Sequence, residues 1–192
     1  MSLGIVDAPF VVGGGSTLFG LAVARELVAS GARVLVVGPD LSALEPAVEE
    51  LDGGALPCVA DLADPADAAR VGGVAAALLG GVDGVVLPPV TLPTGDVLEP
   101  GDREWLAWFS EGVSGPLGLL RGVVPLLEAE GGAVLFPIPD PPGEPHAGHI
   151  ARRMLDALVD ELAGMLGPGV RVGRVEPVPE HARETVRLLA QR

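Results

Sequence analysis

The sequence predicts an α/β domain: a doubly wound parallel sheet of about six strands with helices on both faces. Three observations carry this. Short Val/Leu-rich runs alternate along the chain with longer amphipathic ones. The short runs lack polar alternation, as strands buried on both faces do. Glycine and proline punctuate the runs, leaving six β-α units that right-handed crossovers join into one sheet. The 192 residues suit a single domain, 1–192, with no internal repeat and no boundary.

Phe10-Val-Val12 reads as the first strand and ends in Gly13-Gly-Gly15. Residues 16–30 read as a helix closed by Gly31. Arg33–Val37 is a buried strand bounded by Gly38-Pro39. Asp40 or Ser42 caps the next helix, and Ser42-Ala-Leu-Glu45 fits a capping box. Gly53-Gly54 ends that helix, and residues 55–60 form the third strand. Asp64-Pro65 supplies an N-cap and a first-turn proline for a helix reaching about Leu79. Residues 82–87 form the fourth strand, and a proline-rich connection runs over 88–101. Asp102 caps a long fourth helix to about Ala129, Gly131-Gly132 breaks it, and residues 133–136 form the fifth strand. Residues 137–145 hold five prolines in nine positions and read as an irregular loop. A fifth helix over 149–166, a sixth strand over 170–175 and a last helix over 179–190 complete the chain.

Composition narrows the function. There are 26 acidic side chains against 12 basic ones, a formal net charge of −14, which argues against a phosphate-backbone binder. Apolar residues make up 48% and the mean hydropathy is +0.46, ample for a packed core despite 28 glycines and 19 prolines. The single cysteine, Cys58, has no internal disulfide partner and sits in an apolar stretch, which points to a reducing compartment. The start has neither a basic region nor a clean apolar run, and no stretch reaches the length of a membrane span. A soluble cytoplasmic protein is expected. All 12 basic residues are arginine, and there is no tyrosine.

At Val11-Val-Gly-Gly-Gly-Ser-Thr-Leu-Phe-Gly20 a glycine-rich turn follows the first strand and opens the first helix, where a dinucleotide pyrophosphate would meet the helix N-terminus. Gly31-Ala-Arg-Val-Leu-Val-Val37, Asp61-Leu62, Gly115-Pro116, Leu155-Asp-Ala-Leu158 and Gly169-Val-Arg-Val172 follow in order and at matching distances. Together, over residues 8–177, they resemble the short-chain dehydrogenase/reductase family. The resemblance implies a Rossmann-like fold, NAD(P) as cofactor, and Gly14, Ser16, Gly20 and Asp61 as the positions nearest to it.

The departures from that family are as informative as the matches. In the family's TGxxxGxG turn, Gly14 and Gly20 match but the middle glycine is Leu18. That glycine lets the backbone approach the pyrophosphate. Gly38-Pro39 stand where an acid or an arginine would meet the adenosine ribose, and Asp40 comes slightly late for that role. Asp61 can equally be a helix-approach cap. Leu87-Pro-Pro-Val90 replaces the Asn-Asn-Ala-Gly run. Of the catalytic set, the tyrosine position falls on Gly148, the lysine on Arg152, the serine near Pro139 and the helical asparagine on Gly112. A guanidinium is a fixed charge with another donor geometry and does not replace the lysine that lowers the tyrosine pKa. After Pro177-Val178 the chain runs almost directly into the last helix, so the family's substrate-covering segment and seventh strand are expected to be absent.

Some chemistry remains. His146 and His149 flank the lost tyrosine position, beside Arg152 and Arg153 and after Asp140 and Glu144. They read either as solvated residues of a loop and helix cap, or as a substituted acid/base in which His149 works with Asp140 or Glu176. His146-x-x-His149 lacks a third ligand, so no metal is expected. Trp105, Trp108 and Phe109 share one helix face, as core or as a subunit interface. The resemblance implies pairing of the fourth and fifth helices with a second subunit. Ile150, Leu155, Leu158, Val159 and Leu162 offer more apolar surface there than one sheet contact requires. The expected protein is therefore a degenerate family member without redox activity. It is a structural or regulatory subunit, as a homodimer or paired with an active relative. A cyclase, isomerase or lyase, or an atypical NAD(P)H-dependent reductase, are the alternatives. The departures count against NAD(P), and whether the crevice is open or filled by Leu18, Phe19, Pro88 and Pro89 is left to the structure.

Overall fold

The computed structural model describes residues 5–141, 143 and 146–191. Six parallel strands form one sheet in the order β3-β2-β1-β4-β5-β6. They are β1 (Pro9–Gly13), β2 (Arg33–Gly38), β3 (Ala55–Val59), β4 (Gly84–Val86), β5 (Gly132–Pro137) and β6 (Val170–Val175). The helices are α1 (Leu18–Ala29), α2 (Leu41–Glu50), α3 (Pro65–Leu79), α4 (Asp102–Phe109), α5 (Gly115–Glu130), α6 (Ala147–Met165) and α7 (Ala182–Ala190).

The absence of polar alternation has the expected cause. Val11, Leu35, Val37, Val85, Val134 and Phe136 face a layer made by α3, α4, α5 and α6. Their neighbours Phe10, Val12, Val34, Val36, Val86 and Leu135 face α1, α2 and α7. Both sides of every central strand are thus covered, as in a doubly wound sheet. Strand order reverses between β1 and β4, and the crevice outside their carboxyl ends is the place where such folds bind ligands.

Several local expectations are corrected. The α1 cap is Thr17, whose hydroxyl accepts from Gly20 N. The Ser42–Glu45 capping box does not form: Asp40 caps α2 by accepting from both Ser42 N and Ser42 Oγ. Gly101, not Asp102, is the cap of α4, and the Glu104 carboxylate reaches back 2.8 Å to accept from Gly101 N. His146 caps α6, its Nδ1 accepting from Gly148 N at 2.9 Å. The fourth strand shortens to Gly84–Val86, since Leu87 already leads into Pro88.

The long fourth helix contains a π turn, Ser110–Ser114, between α4 and α5. Beyond it α5 packs closely onto α3 through small side chains. A Cβ on Gly72 would lie 2.0 Å from the Gly122 carbonyl oxygen, and one on Gly118 would lie 2.8 Å from Ala68 Cβ. Within α4 the aromatic trio divides by burial: Trp108 is buried, Trp105 half-buried and Phe109 exposed. Trp105 and Trp108 meet edge to face at 5.9 Å, an arrangement favoured by the ring quadrupoles.

Candidate functional site

The glycine turn is held by its own backbone and by Thr17. Gly14 adopts φ +66° and accepts at its carbonyl from both Thr17 N (2.8 Å) and Thr17 Oγ1 (2.7 Å). A Cβ on Gly20 would lie 2.3 Å from that carbonyl oxygen, so this glycine is required by packing alone. Pro88 and Pro89 press on the same turn from β4. A Cβ on Gly13 would meet Pro88 Cδ at 2.7 Å and one on Gly14 would meet Pro89 Cδ at 2.8 Å. The glycines therefore serve the close fit of this turn whether or not a nucleotide approaches it. Ser16 is exposed at the turn's tip.

Leu18 is the first residue of α1 and is 81% exposed. Phe19 is buried and lines the wall of the crevice beside Leu18 without closing it. The Leu18 N–H and the Phe19 N–H point out of the helix end, as first-turn donors do. A Cβ–Cα bond in a helix tilts toward the N-terminus, which sets the Leu18 side chain against the space where an anion would meet those donors. Gly38 and Pro39 offer no side-chain group to a ribose, and Asp61 accepts from Ala63 N at 2.9 Å in a local turn. The Asp61 backbone N–H donates to Asp67, whose carboxyl this bond and Arg70 hold below the usual range. Asp64, not Asp61, caps α3. The residues present do not fit a dinucleotide bound in the manner of the family: the closest backbone approach carries an isobutyl group, and the ribose partner is missing.

At the positions that the resemblance assigns to catalysis, Gly148, Arg152 and Gly112 each have defined surroundings. Gly148 is buried, and a Cβ there would meet His146 Cε1 at 2.7 Å and the Pro93 carbonyl oxygen at 2.8 Å. Arg152 is turned toward the loop after β5 and is held there. Its Nε donates to both Asp156 carboxylate oxygens at 3.1 Å; its Nη1 donates to the Ile138 and Pro139 carbonyls at 3.3 and 2.9 Å and to Asp140 at 2.5 Å. Asp156 also pairs with Arg174 of β6 at 2.9 Å, and Arg174 reaches Asp160. The result is a charge ladder, Asp140–Arg152–Asp156–Arg174–Asp160, that ties the β5 loop, α6 and β6 together. Gly112 lies against Trp108, whose indole Nε1 would be 3.4 Å from an added Cβ and has no hydrogen-bond partner among the described residues.

The histidine–carboxylate pairs expected for acid/base work are not assembled. No hydrogen bond or ion pair joins His149 to Asp140 or Glu176 among the described residues. Asp140 is engaged by Arg152, and the nearest histidine to Glu176 is His181, with Nδ1 at 3.9 Å. His149 instead packs edge-on against His146 at 4.8 Å between ring centroids, and its buried Nδ1 has no hydrogen-bond partner among the described residues. Glu144 lies outside the described residues. No three His, Cys, Asp or Glu side chains converge among the described residues.

What does remain is a cleft of about 460 Å³ at the carboxyl rim. Leu18, Val90 and Leu92 line it with Pro89, Pro93 and Pro139, and Asp140 and His146 stand at its edge. A smaller depression of about 170 Å³ lies across Pro88-Pro89, against Gly38, Pro39 and Asp61. The sequence pattern missed the part played by Thr17 and by the Pro93 carbonyl. The first had a legible signal, a hydroxyl three residues before Gly20; the second depends on how a loop folds back.

Of the five apolar α6 residues expected to face a partner, four turn inward. Leu155 and Val159 are buried, and Leu158 and Leu162 pack on the core. Ile150 alone of that set stays exposed, joined by Met154 on α6 and by Leu106 and Phe109 on α4. No helix among the described residues is long and apolar enough to cross a membrane.

Comparison with known proteins places this geometry. The family model described as short chain dehydrogenase matches residues 9–137. No curated protein matches. A metagenomic short-chain oxidoreductase solved in complex with NADP is similar over 97% of this chain and 91% of its own, at 26% identity and a TM-score of 0.84. L-sorbose reductase from Gluconobacter frateurii, solved with NADPH and L-sorbose, is similar over 92% of this chain and 71% of its own, at 25% identity and a TM-score of 0.83. A short-chain type dehydrogenase/reductase from Mycobacterium marinum shares the fold over 99% of this chain and 90% of its own, with a TM-score of 0.87 at 19% identity.

Proposed function

The chain belongs to the short-chain dehydrogenase family, and from that premise we propose that it is a non-catalytic member, a structural or regulatory subunit. It works as a homodimer or beside a catalytically competent relative. The observation that supports this best is the lysine position. Arg152 spends its donors on five protein oxygens and is used as a clamp between elements. Gly148 adds a second support, because its surroundings leave no room even for a methyl group. A phenol has to exchange its proton with a carbonyl oxygen, and a lysine beside it has to lower its pKa; the chain has neither a tyrosine nor a lysine.

The dimer reading rests on the exposed apolar side chains of α4 and α6, Leu106, Phe109, Ile150 and Met154. Two helices on one sheet face that each leave large apolar groups in water suit an interface core. Light scattering on the purified protein is expected to give twice the chain mass, and the pair Leu106→Asp with Ile150→Asp is expected to give one chain mass. A monomeric wild type that stays monomeric with a Tyr/Lys-bearing relative present would remove the subunit role.

Calorimetric titration with NADH and NADPH tests the rest. The expected result is no heat of binding up to millimolar cofactor. Tight binding would favour the atypical reductase instead. A non-redox enzyme draws its support from the buried Nδ1 of His149, which has no hydrogen-bond partner among the described residues. Loss of a measurable lyase or isomerase activity in His149→Ala would establish that reading in place of ours.

A further inference from the structure

We propose that the outer edge of β6 is a second contact between copies of this chain, in which two β6 strands pair antiparallel about a two-fold axis at Gly173. This goes beyond the pairing through α4 and α6 and uses a different surface.

The two ends of the sheet are not alike. The strand order runs from β3 to β6, so each of these strands has an outer side. Val34 N donates to Gly54 O and Ala60 N to Gly38 O, which turns the backbone groups of residues 55, 57 and 59 outward. At that edge position 57 is a proline, with no N–H to offer, and the Val59 carbonyl accepts from Arg70 Nη2 at 2.8 Å. Such an edge is blunted against further pairing. At the other edge Gly132 N donates to Gly169 O and Ile138 N to Val175 O, so Val170, Val172 and Arg174 turn their backbone groups outward. The Val170 N–H is taken by Gly167 O at 2.8 Å. Those of Val172 and Arg174 face away from β5, with no proline nearby and no bulge in the one-to-one register. The Arg174 side chain does not guard this edge as a solvated charge, because Asp156 and Asp160 hold it.

A row of outward donors and acceptors is a template for another strand, and a second copy completes it. With Gly173 on the axis, Val172 of each copy lies opposite Arg174 of the other. Each such pair exchanges two N–H···O bonds, so both outward N–H groups of each copy are used. Gly173 then faces its own copy at the close, non-hydrogen-bonded position. Its own packing does not forbid a side chain outright, since a Cβ would lie 3.3 Å from Leu135 Cδ2. A glycine inside a strand suits the close approach of another backbone.

Charge favours the same register. Arg171 of one copy falls opposite Val175 of the other. Among the described residues the Arg171 guanidinium reaches only the Leu188 and Leu189 carbonyls, at 2.8 and 3.2 Å. Val175 borders a depression of about 180 Å³ that Glu176 and Glu184 also line. The arginine of one copy thus comes beside the acidic flank of the other. An axis at Arg174 would set two arginines directly opposite, which is unfavourable. A contact one strand wide is smaller than the standard interface of about 1,600 Å², so it forms at higher concentration than the α4/α6 pairing.

The test starts from the Leu106→Asp, Ile150→Asp chain, which lacks the α4/α6 surface, in sedimentation equilibrium. Its mass is expected to rise from one chain toward two between about 10 μM and about 1 mM. Val172→Pro in the same background is expected to stay at one chain, with its melting temperature kept, because an edge strand tolerates a proline whose nitrogen faces outward. Hydrogen exchange on the chain without the proline gives a second reading. The Val172 and Arg174 amides are expected to slow about twofold or more over that concentration range. Gly173→Cys is expected to link two chains by a disulfide on mild oxidation, well beyond Leu98→Cys, which is exposed but away from the axis. A mass fixed at one chain, unchanged exchange at Val172 and Arg174, or a rise that persists in folded Val172→Pro overturns the inference and leaves the α4/α6 pairing standing. Two chain masses already at the lowest concentration, reduced to one by Val172→Pro, support the edge contact and overturn the α4/α6 pairing instead.

Discussion

Val11, Val12, Leu35 and Val134 in the middle of the sheet are closed off from solvent, whereas at the carboxyl rim Leu18 stands 81% exposed and the Asp140 side chain 72%. The two regions are separated by only a few residues of chain, yet they answer to different constraints. In the interior each side chain touches neighbours on several elements, so a change of shape is felt at once. At the rim a side chain touches one or two neighbours and water, so its identity can change with little effect on folding. A family fold can therefore be kept intact while the residues above it are replaced.

The sharpest way to break this contrast is at the α3–α5 contact. Gly72→Val would drive a branched side chain into the Gly122 backbone, which an added Cβ alone would approach to 2.0 Å. We expect a loss of about 3 kcal/mol in urea unfolding, the upper part of the usual overpacking range. Leu18→Ser at the rim is expected to stay within about 0.5 kcal/mol of the parent, as exposed substitutions do. Equal effects at the two positions would defeat the distinction.

Arg152 lies between these extremes and sharpens the comparison. Arg152→Ala leaves Asp156 with Arg174 alone, releases the exposed Asp140 and frees the Ile138 and Pro139 carbonyls. The expected loss is about 1–2 kcal/mol, given that its side chain is 21% exposed. Arg152→Lys is expected to recover only part of it, because an ammonium cannot span five oxygens as a planar fork does. Unchanged stability in Arg152→Ala would show that the ladder is ornamental.

A smaller effect is expected at the cap of α1. Thr17→Ala removes the acceptor of Gly20 N and the donor to Gly14 O, for about 1 kcal/mol. The smallest effect is in acid. The Asp61 backbone N–H, and then Arg70, hold the Asp67 carboxyl below the usual range. A carboxyl depressed by folding contributes stability that is present above its unfolded pKa and fades as pH falls through the folded value. Asp67→Asn should therefore narrow its gap to the parent as pH drops below about 4, read from urea midpoints across pH. Cys58, whose thiol burial pushes up, should label slowly with a thiol reagent at neutral pH and faster only well above the ordinary thiol range.

The sequence by itself determined the six strands, the two-faced burial and the glycine turn, because periodicity and turn chemistry act over a few residues. It also determined that no tyrosine or lysine exists anywhere in the chain, which no folding can reverse. It placed Arg152 at the lysine position but could not say what holds it. That took the β5 loop, the next turn of α6 and an arginine from β6, three segments brought together only by the sheet. Pattern put Trp105, Trp108 and Phe109 on one helix face; the tertiary fold packs Trp108 into the core and leaves Phe109 exposed. It offered His149 with Asp140 or Glu176 as a catalytic pair, and tertiary structure gave Asp140 to Arg152 instead. Local preference is written in neighbouring residues, whereas the partner that a charge or an aromatic ring finds depends on which distant segments the fold delivers beside it.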